Sequence, residues 1–345
     1  MSNKNQKTTR PPLTTLACVN PDCELHGQAG QDNLIVRKVY GKDQMRYLRC
    51  RECREEFSER KGTALWNTKI PEAKAVSVSE HLAEGCSQAS ISRLVKVDKS
   101  TVRRLTCRVG QHAEVFHDEQ VQDVAVDVIQ ADERHGFAGN KQRPMWEAEI
   151  MDPESKLVLS YRVGPRNESL IRALLEDGAS RLADRHDVVL MTDGLDSYKT
   201  LFPEIFGHPY QPPRKNGRGR SPKIQFRIPR QAAHVQVIKK HVGRRLVDIT
   251  VRMAHGTQKR VHQSLMRLGY TIANTAFIER RNATARLMNR YQVRKSIAFA
   301  RRDDTKHVVG WWNVTVYNWC RPHRGLRIAL TEPQGKKSLL LAHLL

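Results

Sequence analysis

Between residues 124 and 194 the chain changes its hydrophobic period in an order that restricts the fold more than any other stretch. "VAVDVIQADERHGF" (124–137), "MWEAEIMD" (145–152) and "KLVLSYRVGP" (156–165) read as three consecutive strands, with Pro153 and Glu154 turning the chain between the last two. "ESLIRALLEDGASRLADRH" (168–186) has helical periodicity. "DVVLMTDG" (187–194) is a short apolar run, as expected of a parallel strand covered on both faces. Three meandering strands, a helix and a buried strand form the order of an RNase H-like core.

On such a core an acid on the first strand and one at the end of the fourth lie side by side. Asp132 and Asp193 occupy those places. By strand parity Asp127 falls on the opposite face from Asp132. The same parity sends Asp132 and Glu133 apart, which leaves Glu133 as a supporting or structural acid. Asp196, after Gly194, reads as a helix cap. "NTAFIERRNATARLMNRYQVRKS" (274–296) reads as a helix with Glu279 as a third acid, and Arg286 is seven residues on, on the same face. Three converging carboxylates need compensating charge. Two Mg²⁺ ions, or Mn²⁺ in their place, are hard cations that supply it. Held about 3.5–4 Å apart, such a pair serves phosphodiester displacement by water or a 3′-hydroxyl, with no protein nucleophile. Arg286 is suited to hold a phosphate or to orient Glu279.

The formal net charge of +23 favours a polyanionic partner through counterion release and field focusing. Nucleic acid fits better than a membrane. "MSNKNQKTTRPP" lacks a signal-peptide apolar core, and "LLLAHLL" is too short to span a bilayer. A cytoplasmic, nucleoid-associated protein is expected.

Seven cysteines are present, and four are paired. "CVNPDC" holds Cys18 and Cys23; "RCREC" holds Cys50 and Cys53. Two turns offering two thiolates each can close a tetrahedral Zn²⁺ site, against the alternative of four reduced structural thiols. The strand-like "NLIVRKVYGKDQMRYLRC" between them, with Gly41 and Asp43 at its turn, makes this a zinc ribbon. "RECREEFSERKGT" places mixed charges on its surface.

From Pro71 the period is helical. Ala75, Val78 and Leu82 form one face, and Gly85 ends the helix. Ser87 caps a second helix with Ile91, Leu94 and Val95 inward. Asp98 or Ser100 caps a third, with Val102, Leu105 and Val109 inward and Arg103, Arg104 and Arg108 outward. This is a helix-turn-helix whose third helix enters the major groove of DNA, or else a small packing bundle.

Further on, residues 205–247 carry no acid, and "QPPRKNGRGRSPKIQFRIPR" (211–230) reads as a mobile or DNA-tracking segment. "RRLVDITVRMAHGT" (244–257) reads as strands and "QKRVHQSLMRLGY" (258–270) as a basic helix. The whole is taken as an insert that grips DNA, against a solvated basic loop. "HVVGWWNVTVYNWC" (307–320) concentrates Trp311, Trp312, Tyr317 and Trp319, which read as core or as stacking platforms for unpaired bases. His323 and Arg324 are placed to approach phosphates.

The segments "CVNPDC", "RCRECREEFSERKGT", "DERHGFAGNK", "TDGLDSY", "NTAFIERRNATAR" and "YNWCRPHRGL", spanning roughly residues 18–330, resemble bacterial DDE transposases of the insertion-sequence-one type. The resemblance implies that the ribbon and helix-turn-helix bind the element's terminal inverted repeats. It also implies that an RNase H-like domain cuts and rejoins DNA with Mg²⁺. It matches Asp132, Asp193 and Glu279 to the family's three acids and Arg286 to the basic residue after the third. Arg134 and His135 stand where the family carries a Trp, and the ending after "RPHRGL" also departs from the usual one. Terminal inverted repeats and target DNA are the expected partners, met by a homo-oligomer, a dimer, in the synaptic complex. A DNA-binding repressor without catalysis and a nuclease without strand transfer would use the same parts. The expected organisation is multi-domain, α+β and α/β. It comprises a zinc ribbon (1–67), a helix-turn-helix (68–118), an RNase H-like mixed-sheet domain (119–306) with a basic insert at about 207–270, and a C-terminal aromatic helix and tail (307–345).

Overall fold

The computed structural model describes residues 10–41, 43–214, 220–243, 245–293 and 296–326. The centre of the Gly- and Arg-rich segment (215–219) and the tail beyond 326 lie outside them. The chain forms two compact units that divide after Ser79 rather than at 67 and 118.

The first unit is built on a three-stranded antiparallel sheet, β1 (Leu34–Tyr40), β2 (Met45–Cys50) and β3 (Glu56–Ser58). Leu34, Leu48 and Phe57 bury against Cys18, Cys23 and Cys50. The charges after Cys53 do not all sit on its surface. Glu59, 5% exposed, receives Arg46 at 2.6 Å and Arg10 at 2.8 Å, which ties the start of the described chain to the sheet. The division between the units falls within α1 (Glu72–Ala83).

In the second unit, α2 (Gln88–Val95) is capped by Ser87 Oγ, which accepts from Ser90 N. Asp98 caps the 22-residue α3 (Lys99–Gln120) by accepting from Ser100 N. Val102, Leu105 and Val109 are buried, and Arg103, Arg104 and Arg108 are exposed, as their spacing implies. The helix does not end with that face. Its second half continues into the core, where His117 Nε2 meets the carbonyl of Val158 at 2.9 Å.

The core sheet has six strands: β4 (Val128–Arg134), β5 (Trp146–Met151), β6 (Val158–Gly164), β7 (Val189–Thr192), β10 (Ala233–Val242) and β11 (Arg245–His255). Their order is β11-β10-β7-β4-β5-β6; β4, β7 and β10 are parallel and the other pairings antiparallel. Five of the strands thus have the RNase H-like order, with β11 added at one edge. β8 (His208–Tyr210) and β9 (Gln225–Arg227) form a separate small hairpin.

Residues 207–270 are therefore not simply an insert. β10 is a central strand beside β7, and its alternating "AHVQV" is hidden in a basic run. α6 (Gln258–Arg267) covers it through Val261 and Leu265. On the opposite face α4 (Glu168–Ser180) and α5 (Asp196–Phe206) bury Leu174, Leu175, Leu201 and Phe202. α8 (Asp303–Thr315) runs between α3 and β6. Gly110 on α3 lies against Val308, and Gly310 against Tyr161, too close in both places for a Cβ. Trp311, Trp312 and Tyr317 are buried, which answers the aromatic cluster in favour of core. Among the described residues no helix is long and apolar enough to cross a membrane.

Candidate active site

Asp132 lies two residues before the end of β4, and Asp193 follows β7 directly. The pairing of Gln130 with Met191 runs on to bring the two acids level. Glu133 joins them, and one carboxylate oxygen from each of the three lies within 4.8 Å of the others. The expectation that Glu133 points away is corrected here.

Strand parity itself holds. Asp132 faces α7 (Ala276–Met288), where Asn282 Nδ2 donates to its Oδ2 at 2.6 Å, whereas Glu133 lies on the other face beside Tyr198 of α5. But β7 ends at Thr192, so beyond it no strand separates the two faces. Asp132 Oδ1 also turns back to accept from Glu133 N at 2.8 Å. The longer Glu133 side chain reaches round the end of β7.

Arg166 is the cation that meets two of the three acids. It donates to Glu133 Oε2 at 3.0 Å, stands 3.7 Å from Asp193, and lies over the Trp146 ring. One guanidinium does not balance three carboxylates. Burial, then Glu133 and Asp193, push the Asp132 carboxyl up to about 7, and burial also raises Glu133. Tyr198, buried on the other side of Glu133, interacts with that carboxylate through its hydroxyl, and among the described residues no cation pairs with it there. A convergent set of hard oxygen donors, short of positive charge, fits Mg²⁺ or Mn²⁺.

Glu279 does not lie with this group. It is in the first turn of α7, about half exposed, where it pairs with Lys239 of β10 and accepts from Thr275 Oγ1 at 2.6 Å. Arg286 lies two turns on in the same helix and is half-buried. What α7 places against the sheet is instead Asn282, one turn after Glu279.

Asn282 also accepts from Arg134 at 2.6 Å. Arg134 is not an exposed stand-in for an aromatic. It is 2% exposed and pairs with Glu149 at 2.6 Å and Glu147 at 3.4 Å. Arg281 meets Glu149 at 3.0 Å, and Lys306 binds Glu147. Burial alone would raise Glu149; Arg134 and Arg281 hold it below the usual carboxylate range. The aromatic near the acids comes from β5, where Trp146 is edge-on to His135. Asn282, Arg134 and Arg166 had no sequence signal beyond their place in "RRNATAR", "DERH" and "GPRN".

In the first unit the Sγ atoms of Cys18, Cys23, Cys50 and Cys53 also lie within 4.8 Å of one another. Cys18 and Cys53 are 3.6 Å apart, and Cys23 and Cys50 3.9 Å. All four are free thiols, and these separations are far longer than a disulfide. They match the edge of a tetrahedron with Zn–S bonds of 2.3 Å, about 3.8 Å. Burial pushes the Cys18 thiol up to about 12. In Cys53, burial is outweighed by hydrogen bonds from the Glu55 backbone and neighbouring groups, and the thiol falls to about 7. The set fits a thiolate-bound zinc ion.

No family model and no curated protein matches the chain. Among solved structures it is similar to a pre-cleavage Mos1 transpososome, at 12% identity and a TM-score of 0.18, over 38% of this chain and 56% of that one. The chain therefore spans little more than half of that protein. It is also similar to the Mos1 strand transfer complex, at 11% identity and a TM-score of 0.20, over 73% and 77% of the two chains. Likeness this shallow leaves the site to be read from the residues of this chain.

Proposed function

We propose that this protein is a DNA transposase that binds the terminal inverted repeats of its own element and catalyses metal-dependent strand cleavage and strand transfer. The observation that carries the reading is the convergence of Asp132, Glu133 and Asp193 at the end of β7 in a chain of net charge +23. Divalent ions held by Asp132, Glu133 and Asp193 would compensate their charge and would supply activation of water or a 3′-hydroxyl for in-line displacement. The chain's own residues do the rest. Asn282 fixes the Asp132 carboxylate from α7, and the buried Arg134–Glu149–Arg281 network fixes Asn282. Arg166, about one-third exposed beside the acids, is placed to meet a phosphate.

In this reading Glu279 completes the acidic set once it leaves Lys239, and Arg286 on the same helix serves the scissile phosphate. The four-cysteine cluster holds structural Zn²⁺. α2 and α3 form the helix-turn-helix, with Arg103, Arg104 and Arg108 on its DNA face. The test is a strand-joining assay with Mg²⁺ on the DNA that flanks the gene, comparing wild type with Asp193→Ala. Joining by wild type alone supports the reading. Joining by both overturns the site. Binding of the ends without cutting by either protein identifies a repressor, and cutting without joining a nuclease.

A further inference from the structure

β11 is an edge strand, and among the described residues no other strand pairs with its outer side. Proteins that stay monomeric protect such edges with covering elements, inward charges or breaks in the strand. Bulges lie on either side of residues 248–253, which pair regularly with β10, and within that stretch Ile249 and Val251 are 48% and 41% exposed on one face of the strand. Its charges are arranged in a way that a protected edge does not require.

"DITVR" (248–252) is self-complementary about Thr250. In an antiparallel pairing of two copies centred there, Asp248 stands opposite Arg252 of the second copy, and Arg252 opposite its Asp248. Ile249 stands opposite Val251, and Thr250 opposite Thr250. Opposite charges, β-branched pairs and Thr–Thr pairs are each favourable directly across a ladder. All five residues are exposed. Arg252 donates from Nε to Gln236 Oε1 at 3.0 Å and stands 3.9 Å from the exposed Asp196, and its side chain remains 45% exposed.

We infer that β11 is a dimerisation edge, along which two copies of this chain join their sheets through antiparallel β11–β11 pairing centred on Thr250. Thr192 is level with Gln236 on β10 and so with Arg252, two residues from the two-fold axis. Five strand spacings, about 24 Å, then separate the two β7 strands in one continuous sheet. The surface stands whether or not the chain transfers DNA strands.

Sedimentation velocity on nuclease-treated, full-length protein tests it. Wild type is expected to dimerise. Asp248→Arg opposes two arginine pairs and Arg252→Asp two aspartate pairs, and each is expected to weaken self-association about tenfold or more. Mixing the two variants restores both ion pairs, so heterodimers should form at the affinity of wild type; a misfolded variant could not be rescued in this way. A monomeric wild type, a dimer unaffected by Asp248→Arg, or a mixture that stays monomeric would overturn the assignment.

Discussion

Two carboxylates, Glu133 and Glu279, are candidates to complete the set of Asp132 and Asp193, and they differ in what holds them. Glu133 is already within reach of both, whereas Glu279 must first give up Lys239. Glu133→Gln should therefore weaken Mn²⁺ binding by the DNA-free protein by about tenfold or more, and Glu279→Gln should leave it nearly unchanged. Glu279→Gln should nonetheless abolish strand joining; retained joining would remove Glu279 from the site. Asp132 makes a separate prediction. Its carboxyl, raised to about 7 chiefly by burial, binds a proton in the folded chain that the unfolded chain releases near pH 4. Its contribution to stability is complete below about pH 4 and is lost as pH rises to about 7. In EDTA, thermal melts should show that part of the pH dependence in wild type and not in Asp132→Asn. The same slope in both would assign it to other groups. Asp132 and Asp193 were legible because the strand order alone sets them side by side. Glu133 was not, because parity gives the face of a side chain and not its reach where the neighbouring strand stops.

Elements carry the next level. The cysteine pairs predicted their own geometry, since two turns with fixed spacing leave few ways to close around one point. Leu34, Leu48 and Phe57 are the main apolar side chains packed on them, so a bound metal would supply much of that unit's folding free energy. Cys50→Ser should lose one equivalent of zinc by metal analysis and the hydrogen-exchange protection of β1 and β2, while β4 and β7 stay protected. Unchanged protection of β1 and β2 would show that the thiols are structural without metal. β10 was the element the sequence concealed. Its outer half, "IKKHV", has the composition of a solvated loop, and only its inner half is buried. α7 was legible as a helix, but its facing was not. Glu279 and Arg286 suggested a functional stripe, whereas Ile278, Arg281 and Asn282 are what it packs on the sheet. A buried arginine is invisible to hydrophobic periodicity, and Arg281 becomes buriable only because Glu149 and Asn313 meet it.

At the scale of the molecule, α3 joins two roles that the sequence separates at residue 118. Its first half presents Arg103, Arg104 and Arg108, while its second half packs on α8 and β6 through Gly110, Ala113 and His117. The face that carries Arg103, Arg104 and Arg108 and the acidic cluster thus belong to one compact unit, with the cysteine cluster in the other. The excess of positive charge and the small acidic centre are compatible on this account, because cations spread over the surface hold DNA while three carboxylates hold the ions that act on it. The most direct measurement is a Mn²⁺ titration of the zinc-loaded, full-length protein followed by electron paramagnetic resonance. About two bound ions per chain are expected in wild type and none in Asp132→Ala or Asp193→Ala, with folding unchanged. Equal binding by wild type and both variants would contradict that expectation.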